Sequence, residues 1–386
     1  MYLSDKLIDF ASQDIATPAL IVDLDIVERQ YLKLYSALSF VHCYYSVKSN
    51  PAIELLKRLV KLGSKFEAAS INEIIYCLEA GADPKNIHFG NTIKKTEDIA
   101  RAHALGITSF AFDCEQELLK IAEHAPHSNV VCRLKNDGKG AHWGLCNKFG
   151  CSPAQSFELL VLAQSLNINP YGLSFHVGSQ QKDPQAWSRA LEDVKSIFSD
   201  LQQVGIELAL VNLGGGYPAS GYLTDDDQSI NYDFDSFAQE IKDAIDALFT
   251  TSKTKLKFMC EPGRFIVAQA GVVKTKIILR STRLLNDQEL TWLYMDVGKF
   301  NGLFEATDIK YPLYEFQSTC SERVPTILTG PTCDSSDMLT YKNHIHHLSN
   351  QLDIGQSILF CCAGAYSNSY VCRGFNGFEP LSEFYI

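Results

Sequence analysis

Short apolar runs rich in β-branched and aromatic residues recur through the first two thirds of the chain, and a longer segment of helical period follows each of them. The segments at 50–63 and 187–205 place apolar residues three and four positions apart and end in Gly, as helices commonly do. Eight strands that alternate with helices over this length predict an α/β fold, a (β/α)8 TIM-like barrel. The same pattern also fits a doubly wound open sheet, and the pattern alone leaves that alternative open. The eight runs occupy residues 41–47, 64–70, 86–90, 107–113, 129–135, 171–178, 208–216 and 256–263.

A second domain is indicated by a change of pattern near residue 269. Beyond it, β-branched and aromatic runs become denser and no long helical segment separates them. We therefore predict a barrel domain over 19–268 and a C-terminal β domain over 269–386. The length of 386 residues also favours two domains, because a single hydrophobic core seldom grows that large. Residues 1–18 precede the barrel pattern, and we expect them to pack with the β domain.

The charge and residue composition limit the kinds of molecule that the protein is expected to bind and the compartment in which it is expected to occur. The formal net charge of -11 argues against a nucleic-acid partner, because affinity for phosphate backbones depends on clustered Lys and Arg. The same charge suits a cationic small-molecule substrate. No apolar run approaches the length of a membrane span, and the N-terminus lacks the pattern of a signal peptide. Twelve cysteines without a C-x-x-C pair favour reduced thiols in the cytoplasm over a disulfide framework or a metal site.

Chemically capable residues follow several of the predicted strands, and in a barrel the catalytic groups lie at the C-terminal ends of the strands. Lys48 follows the first run; taken alone, it would be a lysine that extends to solvent. The later runs end near Ser179, the glycine triplet 214–216, Glu261 and Arg264. Glycine N–H groups, a hydroxyl and a guanidinium together predict a phosphate-binding site. A glycine triplet alone would be an ordinary turn, but a lysine, a carboxylate and a phosphate site at one rim form a specific set.

Eight short motifs occur in the chain in this order: YYSVKSNP, FEAAS, HVGSQ, LGGG, EPGR, GPTCDSSD, GAY and FNGF. Their combination resembles the ornithine, lysine, arginine and diaminopimelate decarboxylases, which depend on pyridoxal 5'-phosphate (PLP) and share the alanine-racemase-like fold, fold type III. The resemblance extends from about residue 17 to the C-terminus. It is closest to eukaryotic-type ornithine decarboxylases and their short bacterial ornithine/lysine relatives. It implies a PLP-binding barrel, a β domain and a homodimer with active sites at the interface.

The resemblance also implies roles for individual residues around the cofactor. By position, Lys48 would carry PLP as a Schiff base, and Glu261 would face the pyridine nitrogen and keep it protonated. His176 would stack on the ring of the cofactor. The other implied cofactor-binding residues are Glu67, Arg133, Ser179, Gly215, Gly216, Gly263, Arg264 and Tyr366.

Further residues are implied for catalysis and for substrate binding. Cys333 and Asp334 resemble a pair that reaches into the partner's site, with the thiol as proton donor to the product carbon and the carboxylate near the distal amine. Phe375 resembles an aromatic wall of the same pocket. Without the resemblance, Cys333 would be interpreted as an inert buried cysteine and Phe375 as a core residue.

The segment DVGKFNGLFEATDIKYP departs from the Tyr-Asp-His-Ala segment of the long eukaryotic enzymes, whose Asp binds the terminal ammonium of the substrate. It resembles the short bacterial branch, and Glu305 and Asp308 are both candidates for that role. Ornithine and lysine differ by one methylene, which a pocket discriminates by only about 1–3 kcal/mol. We therefore expect decarboxylation of ornithine to putrescine, of lysine to cadaverine, or both, as in polyamine biosynthesis.

Three alternatives remain open from the sequence. Diaminopimelate and arginine decarboxylation are alternatives within the same fold. A catalytically silent homologue that acts as a regulatory binding protein is an alternative of another class. The intact set Lys48, Glu261, Arg264, Cys333 and Asp334 argues against the silent homologue.

Overall fold

The computed structural model describes residues 3–144, 147–249, 256–285, 287–316 and 322–386. They form two compact units. The barrel unit comprises residues 28–218 and 232–263, and the sheet unit comprises the residues up to 27 together with 219–231 and 264–386.

Strands and helices are numbered in chain order through both units. The strands are β1 (Ala19–Val22), β2 (Val41–Ser46), β3 (Lys65–Ala68), β4 (Ile87–Phe89), β5 (Ser109–Phe112), β6 (Asn129–Arg133), β7 (Ala141–Trp143), β8 (Asn169–Ser174), β9 (Ser179–Gln181), β10 (Leu210–Asn212), β11 (Lys257–Cys260), β12 (Gly271–Leu285), β13 (Gln288–Met295), β14 (Leu313–Glu315), β15 (Arg323–Thr329), β16 (His346–Ser349), β17 (Ser357–Cys361) and β18 (Ser382–Tyr385). The helices are α1 (Asp5–Ala11), α2 (Leu24–Ala37), α3 (Ile53–Lys61), α4 (Ile71–Glu79), α5 (Thr96–Ala104), α6 (Glu115–His124), α7 (Pro153–Ser165), α8 (Gln185–Gln203), α9 (Phe234–Phe249) and α10 (Arg264–Val267).

The barrel unit contains a closed barrel of eight parallel strands. They are neighbours in the order β2, β3, β4, β5, β6, β8, β10 and β11, and β11 pairs with β2 to close the ring. Seven of the eight predicted runs contain one of these strands, and the run 171–178 overlaps β8, which begins at Asn169. The (β/α)8 barrel is thus confirmed, and the doubly wound open sheet is excluded because an open sheet has no pairing between its first and last strands. All strand residues of β4 and β10 are buried, as expected for parallel strands covered on both faces.

Helices follow the barrel strands, and α3 illustrates how such a helix buries its apolar side and exposes its polar side. In α3, Leu55, Leu56 and Leu59 are fully buried, whereas Glu54 and Lys57 on the opposite side are exposed. α7 begins with a capping box, in which Ser152 and Gln155 satisfy each other's backbone N–H groups. A small antiparallel pair, β7 with β9, is additional to the barrel.

The sheet unit is built on an eight-stranded, mostly antiparallel sheet. Its main order is β14, β17, β12, β13, β15 and β16, and β1 pairs with both β12 and β18. This sheet corresponds to the predicted C-terminal β domain. Among residues 3–18, Ser4 caps α1 through its side chain, and the Gln13 carbonyl accepts a hydrogen bond of 2.8 Å from Lys274 Nζ on β12.

The boundaries of the units differ from the predicted domain boundaries. Residues 19–27, 219–231 and 264–268, which the pattern placed in the barrel domain, belong to the sheet unit. The reason for the first is pairing: Ala19–Val22 is a fully buried apolar run and hydrogen-bonds along β12 and β18. Such a run is typical of a strand, but its sequence does not indicate the strand with which it pairs. Among the helices of the described ranges, none combines the length and the apolarity that crossing a bilayer requires.

Candidate active site

Lys48 lies on a short 3-10 turn, Val47–Ser49, directly after β2. Buried hydrogen bonds fix this turn, because Ser49 Oγ donates to the Ser46 carbonyl at 2.8 Å. Gly263 packs against the turn so closely that a Cβ atom there would lie 2.9 Å from Ser49. The lysine side chain itself is half-exposed, at 50%. A rigid turn therefore presents an accessible amine at the C-terminal end of the barrel.

Glu67, near the end of β3, is the partner of that amine. Lys48 Nζ donates to Glu67 Oε2 at 3.2 Å, and the Ser46 hydroxyl donates to the same oxygen. The carboxyl is buried, which favours its neutral form, but Lys48, Ser46 and His88 together lower the pKa of Glu67. Gly90 leaves room for this carboxyl, since a Cβ atom at residue 90 would lie 2.5 Å from Glu67 Oε1.

Glu261 follows β11 and is held by Asn212, the last residue of β10. Asn212 Nδ2 donates to Glu261 Oε1 at 2.6 Å, while Asn212 Oδ1 accepts from the backbone N–H of Gly214 at 2.9 Å. Burial and the repulsion of Glu67, opposed by Lys48, raise the pKa of Glu261 to about 7. One amide thus orients the carboxyl and anchors the glycine triplet.

The glycine triplet 214–216 passes close to His176 and Glu261. A Cβ atom at Gly215 would lie 2.6 Å from the Glu261 carbonyl oxygen and 3.5 Å from His176 Cε1. Gly216 has φ +100°, and a Cβ atom there would lie 2.2 Å from the Gly178 carbonyl oxygen. Side chains are excluded at both positions, so the turn presents bare backbone beside the imidazole.

The protonation state of His176 depends on its burial and on two nearby cations. Burial, Arg133 and Lys48 all lower the pKa of His176, so its imidazole is neutral near pH 7. Arg133, the last residue of β6, lies over the ring of Phe149 at 5.1 Å. Ser179 begins β9 and pairs with Trp143 of β7. The barrel unit thus brings together Lys48, Glu67, Arg133, His176, Gly215, Gly216 and Glu261.

In the sheet unit, Arg264 and Glu305 form a buried ion pair. Arg264 Nη1 and Nη2 donate to the two carboxylate oxygens of Glu305, both at 2.7 Å, and the side chains are 6% and 9% exposed. The Tyr222 hydroxyl accepts from Nη1 at 3.3 Å. Tyr366, which has φ +65°, places its ring 4.7 Å from the guanidinium. Two predicted residues of different roles, Arg264 for phosphate and Glu305 for substrate, are therefore bound to each other.

The motifs GPTCDSSD and FNGF also meet in the sheet unit. The backbone N–H of Cys333 donates to Asn376 Oδ1 at 2.9 Å, and Phe375 packs on Phe300 with ring centroids 4.7 Å apart. Cys333 is exposed, so it is not the inert buried cysteine of the alternative interpretation. Asp334 is exposed too, and hydrogen bonds from the backbone and side chain of Ser336 lower its pKa.

Sequence reasoning did not single out Ser46 and Asn212, although both are the last residues of barrel strands. The strand-end rule that selected Lys48 and Glu261 would have found them. Asp308, the other candidate for the distal amine, is exposed at the end of the 3-10 helix Phe304–Thr307.

The residues of the barrel unit fit PLP. Lys48 offers an accessible primary amine for the aldehyde, and Glu261 offers an oriented carboxyl for the pyridine nitrogen. The triplet 214–216, where added Cβ atoms would collide with backbone, offers N–H groups without side chains for a phosphate. A closed barrel with this set at the C-terminal ends of its strands defines a PLP-dependent enzyme of the barrel fold.

Comparison with known proteins agrees with that class. Residues 24–268 match the family described as pyridoxal-dependent decarboxylase, pyridoxal binding domain. The chain is 31% identical over 377 residues to an ornithine decarboxylase of Schizosaccharomyces pombe, which covers 95% of this chain and 82% of that protein. It is 30% identical over 379 residues to a lysine/ornithine decarboxylase of Selenomonas ruminantium, covering 97% and 91% of the two chains.

A solved structure shows the same likeness in three dimensions. The lysine/ornithine decarboxylase from Vibrio vulnificus, complexed with putrescine, is similar with a TM-score of 0.87 at 27% identity, over 100% of this chain and 99% of that chain. The chain belongs to the family of pyridoxal-dependent decarboxylases. The resemblance stated from the motifs is thereby confirmed.

Proposed function

We propose that this protein removes the α-carboxylate of a basic L-amino acid, converting ornithine to putrescine, lysine to cadaverine, or both. The observation that carries the proposal is the pairing of an accessible Lys48 amine with buried Glu67, beside the oriented carboxyl of Glu261. The relatives named for ornithine and lysine support the substrate class. The net charge of -11 suits a cationic substrate.

The barrel-unit residues bind and orient the cofactor. When bound, PLP supplies an electron sink for the pair of electrons left by carbon dioxide. Lys48 would hold the cofactor through its amine, and Glu67 keeps a negative charge beside the lysine nitrogen. Glu261 would hold a proton at the pyridine nitrogen. His176, which is neutral near pH 7, would cover the flat face of the ring without adding charge, and Arg133 would lie near the cofactor.

The phosphate of the cofactor is assigned to backbone and polar groups. We assign it to Ser179, Gly215, Gly216 and Gly263 of the barrel unit. Glycine N–H groups suit this role because they donate without a side chain that would keep the anion away. Arg264, which the resemblance implies for the phosphate, uses both of its Nη atoms for Glu305 in the structure, so a phosphate bound there would have to share the guanidinium with that carboxylate.

Loss of carbon dioxide requires one proton at the α-carbon of the product. We assign that proton to Cys333 of a second copy of this chain, in a homodimer with active sites at the interface. Its exposed thiol lies on a loop beside Asp334 and the segment of Phe375, which are assigned to the substrate pocket. The thiol and the pocket acid would thus arrive together.

Recognition of the distal amine is assigned to the acids Asp334, Asp308 and Glu305. Both oxygens of Glu305 accept from Arg264 in the structure, so an amine bound at Glu305 would have to share its carboxylate with the guanidinium. Asp308 and Asp334 are exposed. Binding at either avoids breaking a buried ion pair.

The decisive experiment is a carbon dioxide release assay with ornithine, lysine, arginine and meso-diaminopimelate in parallel. We expect turnover of ornithine, lysine or both, and a visible absorbance band that disappears in Lys48→Ala. Lys57→Ala, an exposed lysine on α3, is the control and should keep both activity and the band. A colourless protein that binds no PLP would instead favour the regulatory homologue.

A further inference from the structure

A tryptophan outside the catalytic set contacts both sides of the glycine triplet 214–216. Trp187 lies near the start of α8, and its side chain is fully buried. Its indole Nε1–H donates to the carbonyl of Leu213, the residue before the triplet, at 3.1 Å. Its ring also stacks on Tyr217, the residue after the triplet, with ring centroids 5.1 Å apart. One indole thus holds the chain immediately before and immediately after the turn.

The hydrogen bond distinguishes this indole from the aromatic residues that pack around it. Phe237 of α9 meets the indole edge to face, with ring centroids 5.4 Å apart, and Phe234 packs on Tyr217 in the same cluster. A phenylalanine at residue 187 would also bury an aromatic ring here, but it has no ring N–H to donate. A buried indole N–H requires an acceptor, and the acceptor here is the backbone that leads into the turn.

A second hydrogen bond joins the same part of the chain to the other side of the turn. The N–H of Gln181 on β9 donates to the carbonyl of Gly216 at 2.9 Å. Residues 179–187 are therefore bonded to the chain at Gly216 through Gln181 and at Leu213 through Trp187. This segment begins with Ser179, to which the phosphate is also assigned. The two bonds hold Ser179 and the glycine turn in one arrangement, because a shift of either would break one of them.

Two more contacts fix Gly214 itself. Its N–H donates to Asn212 Oδ1 at 2.9 Å, and its carbonyl accepts from the N–H of Glu261 at 2.8 Å. The N–H of Gly214 is thus used within the barrel unit, and the phosphate is assigned to the N–H groups of Gly215 and Gly216. Their direction depends on how the chain enters and leaves the turn, which is where Trp187 makes its contacts.

We propose that Trp187 is a positioning residue that fixes the glycine turn for the phosphate of the cofactor. This inference rests on the proposed function, in which that turn binds the phosphate of PLP. Trp187 acts through the backbone of the turn and is assigned no contact with cofactor or substrate. Without the bond to Leu213 the turn has more conformational freedom, and part of that freedom must be lost again when an anion binds.

The test compares PLP with pyridoxal, which has the same aldehyde and ring but no phosphate. Each is titrated into the apo protein, and the visible absorbance band gives the affinity. Trp187→Phe keeps an aromatic ring in the cluster and removes the N–H. We expect it to weaken PLP binding by about fivefold or more, the effect of one buried hydrogen bond, and to leave the affinity for pyridoxal unchanged.

A second variant removes the N–H without changing the shape of the side chain. Replacement of Trp187 by β-(3-benzothienyl)alanine keeps the bicyclic ring and has sulfur in place of the N–H. It should weaken PLP binding as Trp187→Phe does, and it keeps the test decisive if Trp187→Phe does not fold.

The control is Phe237→Leu, which alters the same cluster from α9 and keeps the bond between the indole and Leu213. It should lower the unfolding temperature, because it removes buried aromatic volume, and leave both affinities unchanged. Equal weakening of PLP binding in Phe237→Leu and Trp187→Phe would overturn the inference, since it indicates a packing role only. Unchanged PLP affinity in both variants of Trp187, or an equal loss of pyridoxal affinity, would also overturn it.

Failure of the proposed function gives a different result. The unmodified protein would then bind PLP and decarboxylate none of the four amino acids, and the titrations would still test Trp187. An unmodified protein that binds PLP no more tightly than pyridoxal would overturn the inference, because the turn would then contribute nothing to phosphate binding.

Discussion

Glu67 and Glu261 are two carboxyls at the same end of one barrel, and burial raises the pKa of each. Glu67 has two compensating contacts, from Lys48 and from the Ser46 hydroxyl, and its pKa is lowered as a result. The Glu261 carboxyl accepts from Asn212 and is repelled by Glu67, and its pKa rises to about 7. Two carboxyls whose environments separate their pKa values can be in different protonation states at the same pH.

The raised pKa of Glu261 predicts a pH dependence of stability in the apo protein. Folded Glu261 keeps its proton up to about pH 7, whereas an unfolded glutamate loses it near its ordinary value of 4.5. The folded state binds more protons in that interval, so the free energy of unfolding contributed by this group decreases as pH rises through it. Glu261→Gln should flatten this part of the profile, as measured by urea unfolding at a series of pH values. Glu240→Gln, exposed on α9, should not, and a slope that stays in Glu261→Gln would contradict the assignment.

The Arg264–Glu305 pair predicts a loss of stability that is separable from substrate binding. Glu305→Ala would leave a buried guanidinium without its carboxylate, which costs about 3–5 kcal/mol of unfolding free energy. Asp308→Asn changes an exposed carboxylate, and its cost should stay within about 0.5 kcal/mol. Urea unfolding tests both. If Asp308 binds the distal amine, Asp308→Asn raises KM without that loss of stability; equal stability of the two variants would contradict a structural role for the pair.

At the scale of elements, local patterns identified the barrel but not every pairing. The eight runs coincide with or overlap the eight barrel strands, because strands buried on both faces are apolar throughout and the helices between them are amphipathic. Ala19–Val22 has the same kind of sequence and pairs instead with β12 and β18. His88 lies in the middle of a run, where a single polar residue gives no local signal. Its relation to Glu67 depends on strand register, which a single sequence does not display.

The turn formed by the glycine triplet predicts that a Gly→Ala substitution within it weakens PLP binding, whereas the same substitution at another glycine of positive φ does not. Gly216 and Gly205 both have positive φ, but a Cβ atom at Gly216 would collide with the Gly178 carbonyl, whereas one at Gly205 would meet nothing within 4 Å. Gly205→Ala should cost about 1–2 kcal/mol and leave PLP affinity unchanged. Gly216→Ala should also displace the turn and weaken PLP binding by about tenfold or more. Titration with PLP measures both, and equal affinities would argue against the turn as a phosphate site.

At the scale of the whole molecule, the assigned residues divide between the two units. Lys48, Glu67 and Glu261 belong to the barrel unit, and Cys333 and Asp334 belong to the sheet unit. The motifs revealed this division, since GPTCDSSD lies beyond the change of pattern near residue 269. They did not reveal that Arg264 and Glu305 bind each other, because the two residues are 41 positions apart and belong to separate motifs.

The proposed homodimer predicts complementation between two inactive variants. Lys48→Ala removes the amine from its own barrel, and Cys333→Ala removes the thiol that is assigned to the site of the other copy. If subunits exchange at random, half of the dimers are hybrids, and each hybrid keeps one site with both groups intact. The mixture should therefore recover about one quarter of wild-type activity, above the sum of the two residual activities. A mixture of Lys48→Ala and Glu261→Gln is the control and should recover nothing, because both substitutions damage the site of their own copy. Absence of recovery in the first mixture, with hybrid dimers demonstrated by native mass spectrometry, would show that Cys333 acts within its own chain or not at all.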